Sequence, residues 1–492
     1  MQIEGGAAGV AGDGADSADL QVPLCVDLDG TLIKSDTLLE LLLKLLKRNP
    51  LYLLVLPLWW VRGRAQFKAR VAAHETLEAD RLPFQPQLID FIREQHRAGR
   101  PTILVTGANR RTAAQVAAQA GCFDEVIASD ETVNLAGAAK RDALVARFGE
   151  RGFDYVGNEL ADLPVLAAAR QALIAGPSLP LRRALRTARL PVARLFDDRP
   201  AALAALLSAI RVKQWVKNLL LAVPLVLAHE VADPRRLIAV AAAMFAFCLT
   251  SSAAYLLNDL LDLDADRHHP IKKHRPLASG ALSITVAAAV APALLVAAVA
   301  VALALPRPFL LSLLAYFVCT VSYSVYLKRV VLVDVIMLAG LYTLRILAGG
   351  AAAAVEISQW LAAFATFFFL SMALLKRYSE LQRLVVEKRL APRGRGYTTR
   401  DVQQIAAFGS GSGYVAALVM ALYINSPEVT RLYSRPQLLW LMCVLVIYWI
   451  SRAWLMADRG ELDDDPILFA LTDKVSYAVG ILAGLVLLAA SW

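Results

Sequence analysis

The sequence predicts an α/β domain, a parallel sheet with a helical cap, followed by an all-α polytopic membrane domain of about nine transmembrane helices. Two observations carry this. Up to about residue 200, short β-like runs alternate with helical patterns, as in a soluble protein. From about residue 218 onward, apolar runs near the length of a bilayer crossing recur. A chain of 492 residues, 58% hydrophobic and with a mean hydropathy of +0.51, has room for both.

The first twenty residues, MQIEGGAAGVAGDGADSADL, are acidic and rich in small side chains. They lack the basic and apolar regions of a signal peptide and read as a disordered leader. Within 21–175, VPLCVDL, PTILVTG, EVIAS and FDYVGN each end in a polar or glycine-containing turn before a helical pattern. That alternation places an active site at the C-terminal strand ends. Between the first two strands lie roughly 70 helical residues, long enough for a cap. Part of this insert, LYLLVLPLWWV at 51–61, is very apolar but too short to span. It fits a packed cap helix or a segment in the membrane interface, which Trp59, Trp60, Arg62 and Arg64 would suit.

Residues 176–207, with Pro, Arg and Ala and no long apolar run, read as a linker. The membrane domain then occupies 208–492, with spans centred near residues 224, 246, 295, 317, 340, 367, 414, 446 and 483. Loops after the even-numbered spans carry most of the Lys and Arg. The positive-inside rule therefore puts them, and the N-terminal domain, on the cytoplasmic side of a plasma or inner membrane. The five cysteines are scattered and fit reduced, mostly buried thiols. The net charge of +9 sits largely in loops beside the spans. Anionic lipid and substrate phosphates account for it there better than nucleic acid does. Self-association is left open.

Two constellations carry chemistry. In the first, CVDLDGTL puts Asp27 and Asp29 at a strand end, followed by Thr106 in LVTGANRR, Lys140 in GAAKRDAL, and Asn158 and Asp162 in GNELADLP. A carboxylate nucleophile, an acid two residues on, a hydroxyl and a lysine for phosphate, and a further carboxylate for Mg²⁺ are the parts that phosphoryl transfer needs.

In the second, NDLLDLDADRHHP follows the apolar run LIAVAAAMFAFCLTSSAAYLL. Unpaired carboxylates are costly near hydrocarbon, so they mark a site. Asn258, Asp262 and Asp266 at i, i+4 and i+8 would line one helix face with Asp259 beside them, a set of oxygen ligands suited to Mg²⁺ holding a diphosphate. Lys272, Lys273 and Arg275 follow where diphosphate oxygens would lie. Further polar clusters recur at span ends: Arg211, Lys213 and Lys217, then Tyr323 and Lys328, then Lys376, Arg377 and Glu380. Arg345 lies inside the fifth span and calls for an anionic partner. For Lys328, snorkelling to the interface is the simpler reading. The acidic stretch at 463–465 reads as a solvated loop.

The first constellation resembles the haloacid dehalogenase (HAD) superfamily of phosphatases over roughly 21–175. The resemblance implies a Rossmann-like sheet, an aspartyl-phosphate mechanism with Asp27 as nucleophile and Asp29 as general acid/base, phosphate binding by Thr106 and Lys140, and Mg²⁺ held by Asp27 and Asp162. Asn158 stands where that family often has a second acidic residue. The second, NDxxDxxxD followed by RPLASG, resembles the UbiA superfamily of membrane prenyltransferases over 208–492. KRYSEL stands where a second aspartate-rich motif is usual. With RVKQWVKN and LRILAGG, it is most similar to the decaprenyl-phosphate phosphoribosyltransferase branch. That branch uses Mg²⁺-bound phosphoribosyl pyrophosphate (PRPP) as donor and a lipid phosphate as acceptor. The resemblance assigns Asn258, Asp259, Asp262 and Asp266 to metal. Lys213, Lys217, Lys272, Arg275, Tyr323, Lys328, Arg345, Lys376 and Arg377 are the residues expected to bind substrate.

The expected function is then bifunctional. The membrane half would make polyprenyl-phosphoryl-5-phosphoribose, and the soluble half would remove the 5-phosphate. The runner-up is transfer of a prenyl diphosphate to an aromatic or other small acceptor, with a phosphatase of unrelated substrate attached. A non-enzymatic lipid-binding scaffold comes third, because both catalytic sets are nearly complete.

Overall fold

The computed structural model describes residues 19–387, 395–462, 466–470 and 472–491. The expected leader up to residue 18 and the acidic stretch 463–465 lie outside the described residues.

Six parallel strands form one sheet in the order β3-β2-β1-β4-β5-β6: β1 (Leu24–Val26), β2 (Thr102–Asn109), β3 (Glu125–Ser129), β4 (Asp154–Gly157), β5 (Ala172–Ala175) and β6 (Val192–Phe196). Every residue of β1, β4 and β5 is buried, as befits strands covered by helices on both faces. The insert after β1 holds helices α1 (Thr37–Arg48), α2 (Tyr52–Val61), α3 (Arg64–His74) and α4 (Pro86–Arg97). Around the sheet follow α5 (Arg110–Ala120), α6 (Ala138–Phe148), α7 (Leu163–Ala168), α8 (Leu179–Ala188) and α9 (Ala202–Ala209). The strand order reverses about β1, whose neighbours are β2 and β4. The C-terminal end of β1 is thus a topological switch point, where α/β sheets place their ligands.

Residues 176–207, read as a linker, contain α8 and the edge strand β6. Ser178 caps α8 by accepting the Leu181 N–H. Strand β6 is exposed except at Phe196, so it has no buried apolar run to betray it.

The later helices are α10 (Val223–Leu227), α11 (Pro234–Leu261), α12 (Leu263–Arg267), α13 (Ile284–Ala302), α14 (Arg307–Val325), α15 (Val333–Ala353), α16 (Gln359–Val386), α17 (Val402–Ile424), α18 (Pro427–Leu432), α19 (Trp440–Asp458), α20 (Pro466–Ala470) and α21 (Lys474–Ser491). Among the described residues eight are long and apolar enough to cross a membrane: α11, α13 to α17, α19 and α21. The ninth expected span, near residue 224, is a 3₁₀ helix over Val212–Ala222 that runs into the five residues of α10. Polar side chains as far as Asn218 and Pro224 at the start of α10 shorten the apolar stretch available.

The chain divides into two compact units, each described by itself. The first comprises the residues up to Ala209 with Asp259–Ala288, and the second Ile210–Asn258 with Ala289–Trp492. In the second, α11 and α15 are the most enclosed spans and α21 the most exposed. Helix α17 approaches α19 closely because Gly409 has no side chain. A Cβ there would lie 2.2 Å from the Trp454 ring.

Candidate active sites

Asp27 follows directly on β1, and its carboxylate is buried in a hydrogen-bonded cluster. Lys140, from α6, donates to Asp27 Oδ1 at 2.7 Å, to Asp162 Oδ1 at 3.3 Å and to the Tyr155 hydroxyl at 2.9 Å. Tyr155 in turn donates to Asp162 Oδ1 at 2.9 Å. The other oxygen of Asp162 accepts the backbone N–H groups of Asn158 and Glu159, both at 3.1 Å. Thr31 donates toward Asp27 Oδ2 at 3.3 Å or Asn158 Oδ1 at 3.1 Å. Gly30 adopts φ +73, and a Cβ there would meet the Asn158 amide at 2.1 Å. The glycine of DxDGT therefore makes room for Asn158 beside Asp27.

Burial raises Asp27 to about 6 despite the Lys140 ammonium beside it. Burial pulls Lys140 down, but the Asp27 and Asp162 carboxylates outweigh it and the net shift is upward. Asp29 accepts the Thr37 N–H at 2.7 Å, the first amide of α1. Desolvation, reinforced by the neighbouring Asp36 carboxylate, lifts Asp29 well above the usual carboxylate range. One aspartate near ionisation and a second biased toward its protonated form suit a nucleophile and a proton donor.

A small cavity of about 70 Å³ contains Asp29 and is walled by α1 (Thr37, Leu38), α3 (Lys68, Ala72) and the end of β2 (Asn109). Lys68 donates to the Gly107 carbonyl at 2.6 Å and to Asn134 Oδ1 at 2.9 Å. Thr106 is buried at the end of β2, next to β1, with its hydroxyl accepting the Ala108 N–H at 3.0 Å. The sequence reading missed Thr31, Tyr155 and Lys68. Thr31 alone carried a signal, as the threonine of DxDGT.

From Asp259 onward the aspartate-rich segment belongs to the same unit. The expected single helix face is interrupted, because α11 ends at Leu261 and α12 starts at Leu263 with Asp262 as its N-cap residue. Asn258 and Asp259 lie in the last turn of α11, and Asp266 on α12. Arg275 Nη1 lies 2.6 Å from Asp266 Oδ2 and 3.2 Å from Asp259 Oδ1, so one cationic nitrogen sits between two buried carboxylates. Helix α1 supplies further partners. Lys47 stands 3.6 Å from Asp262 and Lys44 3.2 Å from Asp264, while Glu40 takes Arg267 in a buried two-pronged pair at 2.7 and 2.8 Å. Nothing in the sequence tied α1 to this segment.

Among the described residues no group of three or more His, Cys, Asp or Glu side chains is placed to hold a metal ion. The donor chemistry still fits a small hard cation in both places. Lys140 between Asp27 and Asp162, and Arg275 between Asp259 and Asp266, mark points where two carboxylates converge on one positive charge.

In the second unit, the Arg345 guanidinium donates to Asn218 Oδ1 at 3.1 Å, to the Tyr316 hydroxyl at 2.8 Å and to the Leu341 carbonyl at 2.8 Å. It also lies over the Tyr316 and Tyr342 rings, at 4.8 and 5.1 Å. These hydrogen-bond partners carry no formal charge. Lys217 is buried, 5.9 Å from the Tyr342 ring centre. It lines an apolar cavity of about 580 Å³, whose walls include Phe364, Phe368, Met442, Trp449 and Leu487.

Arg377, expected to meet phosphate, is fully buried. It pairs with Asp334 Oδ2 at 2.7 Å and also with Glu380. Asp334 accepts the Tyr397 hydroxyl as well, at 2.5 Å, and lies 3.5 Å from Arg395. Tyr323 accepts from Arg395 at 3.3 Å. Lys213 is exposed, whereas Lys328 and Lys376 are partly covered. Asp334, Tyr397 and Arg395 were not legible as part of this network.

A model described as haloacid dehalogenase-like hydrolase matches residues 24–167, and one described as UbiA prenyltransferase family matches 219–475. An uncharacterised protein, y4nM, of Sinorhizobium fredii strain NGR234 is 37% identical over 468 residues, 95% of this chain and 90% of its own length. The nodulation protein NoeC of Azorhizobium caulinodans is 33% identical over 57% of this chain and 92% of its own length. A decaprenyl-phosphate phosphoribosyltransferase of Corynebacterium glutamicum is 38% identical over 180 residues, 36% of this chain and 54% of its own. The chain is therefore a multi-pass membrane protein of the UbiA prenyltransferase family, with a haloacid dehalogenase-like hydrolase domain ahead of its membrane helices.

Proposed function

We propose that the UbiA-family region transfers 5-phosphoribose from PRPP to a polyprenyl phosphate and that the hydrolase domain removes the 5-phosphate from the lipid product. The observation that carries this reading is the apolar cavity of about 580 Å³ with a buried lysine, Lys217, in its wall. It suits an acceptor with an extended hydrocarbon tail and an anionic head. The partial similarity to decaprenyl-phosphate phosphoribosyltransferases supports the same choice.

In the transfer step a lipid phosphate oxygen forms a bond to the anomeric carbon while the bond to pyrophosphate breaks. Asp259, Asp262 and Asp266, with Asn258, would hold Mg²⁺ on the PRPP diphosphate, and the metal would neutralise charge building on that leaving group. Lys272 and Arg275 would contact the diphosphate, and Lys217 and Arg345 the acceptor. Lys213, Tyr323, Lys328, Lys376 and Arg377 are the remaining candidates for substrate contact.

In the hydrolytic step Asp27 attacks the 5-phosphate and becomes an acyl phosphate, while Asp29 protonates the departing ribose oxygen. Water then attacks the phosphorus and gives its proton to Asp29, which restores Asp27 and releases phosphate. Thr106 and Lys140 would bind the phosphoryl oxygens. Asp27 and Asp162 would hold the Mg²⁺ that offsets the charge there. The domain and loops would face the cytoplasm, where PRPP is found in solution.

The test supplies PRPP and polyprenyl phosphate to wild type and Asp27→Asn, and weighs the lipid products. Wild type should yield the ribosylated lipid, and the variant the same lipid still bearing its 5-phosphate. Identical phosphorylated products from both would remove the hydrolase from this sequence of reactions. Turnover only with prenyl diphosphate and an aromatic acid would establish the prenyltransferase alternative.

A further inference from the structure

Helix α2, YLLVLPLWWV, has no charged residue on any face. One side packs into the domain. Trp59 is buried, its ring 5.0 Å from His74 and 5.8 Å from Tyr52, and Tyr52, Val55 and Leu56 rest on the core beneath the cap. The other side stays exposed. Leu54 is 74% and Val61 84% accessible, with Leu51, Leu53, Leu58 and Trp60 each above half. A contiguous apolar surface of this kind is rare on a folded domain unless something covers it.

We propose that α2 lies in the bilayer interface, its outer face sunk to the boundary between headgroups and acyl chains. Ten residues of helix extend about 15 Å, half of what a crossing needs, so the segment lies along the surface. A lipid surface is favoured over a second copy of the chain by the charges around the patch. Arg62 and Arg64 are exposed immediately after the helix, and Arg64 stands 5.8 Å over the Trp60 ring. A tryptophan and arginines bordering leucines match a hydrocarbon-to-headgroup gradient and attract anionic lipid. A symmetric contact would instead bring the same cations together. The bilayer is also always present, because the same chain carries eight membrane-length helices.

Helices α1 and α3, which flank α2 in the chain, both wall the small cavity that contains Asp29. Anchoring α2 therefore tethers the cap helices that wall this cavity to the membrane surface. The anchor itself stands whatever the substrate.

The experiment uses the full-length chain in nanodiscs containing anionic lipid, spin-labelled at Leu54→Cys or, as a control on the same domain, at the exposed Val133→Cys. The native cysteines are mostly buried, and the wild-type signal is subtracted. The Leu54 label should collide with lipid-soluble oxygen severalfold more often, relative to a water-soluble nickel chelate, than the Val133 label does. Equal ratios at the two sites would overturn the proposal. So would dipolar broadening between Leu54 labels, which would show a second copy on the patch.

Discussion

Arg377→Ala separates two accounts of one residue. By motif position Arg377 should grip phosphate, yet its guanidinium is fully enclosed and spent on Asp334 and Glu380. Removing it takes a charged partner from the Asp334 carboxylate, which is itself fully buried. Breaking a buried pair from one side costs about 3–5 kcal/mol. Tyr397 and Arg395 remain as partners of Asp334 and place the cost near the lower end, about 3 kcal/mol. For a unit of roughly 250 residues that lowers Tm by about 6–12 °C. Arg377→Met with Asp334→Leu removes both charges and should regain most of the loss, since an apolar pair of similar volume is often neutral. The assay is thermal unfolding in detergent beside transferase kinetics. An unchanged Tm with about a tenfold or greater fall in kcat/KM would refute the structural account and return Arg377 to the substrate.

Asp262→Ala or Asp266→Ala should abolish lipid transfer and leave hydrolysis of a soluble phosphomonoester nearly intact, measured on one preparation. Retained transfer with Mg²⁺ present would end the metal-diphosphate assignment. Glu40→Ala leaves Arg267 buried without its carboxylate and should cost the first unit about 3–5 kcal/mol in unfolding measurements. Because Glu40 lies in the first turn of α1, whose Thr37 amide holds Asp29, hydrolase kcat should fall more than KM rises. Hydrolase kcat/KM should decline about tenfold per pH unit below about pH 6, as the carboxylate that attacks phosphorus is lost to its proton. Added Mg²⁺ favours the ionised form and should move that limb to lower pH. A limb that ignores Mg²⁺ would assign it to another group.

The hydrolase sheet was readable because its candidate catalytic residues sit at strand ends, where chain order and spatial order agree. Four of the six strands followed from apolar runs closed by polar turns. Strand β5 was missed because ALIA is only four residues long. The edge strand β6 was missed because an exposed strand has no apolar face to read. Membrane helices were legible from length and hydropathy. Only the first failed, where apolar residues around Pro224 were counted as a span although the stretch before them is polar and 3₁₀.

The carboxylates of both sites were legible for a similar reason, since DxDGT and NDxxDxxxD are local patterns. What escaped is the positive charge set against them, because pairing is decided by packing. Asp27 meets Lys140 across 113 residues, Glu40 meets Arg267 across 227, and Asp334 meets Arg377 across 43. The sequence reading nominated most of these cations as substrate ligands, since a basic residue near a membrane site has few obvious partners when only the chain is known. The structure divides them by environment. Arg345 has hydrogen-bond partners without formal charge, and Lys217 lines a cavity wall. Arg275 and Lys140 hold carboxylates that a metal ion would have to share. Arg377 is bound on two sides by acids. Substrate contact therefore requires an exchange of partners at Arg275 and Lys140. At Arg377 it would expose a buried aspartate, which is why that residue is the sharpest place to set fold against function.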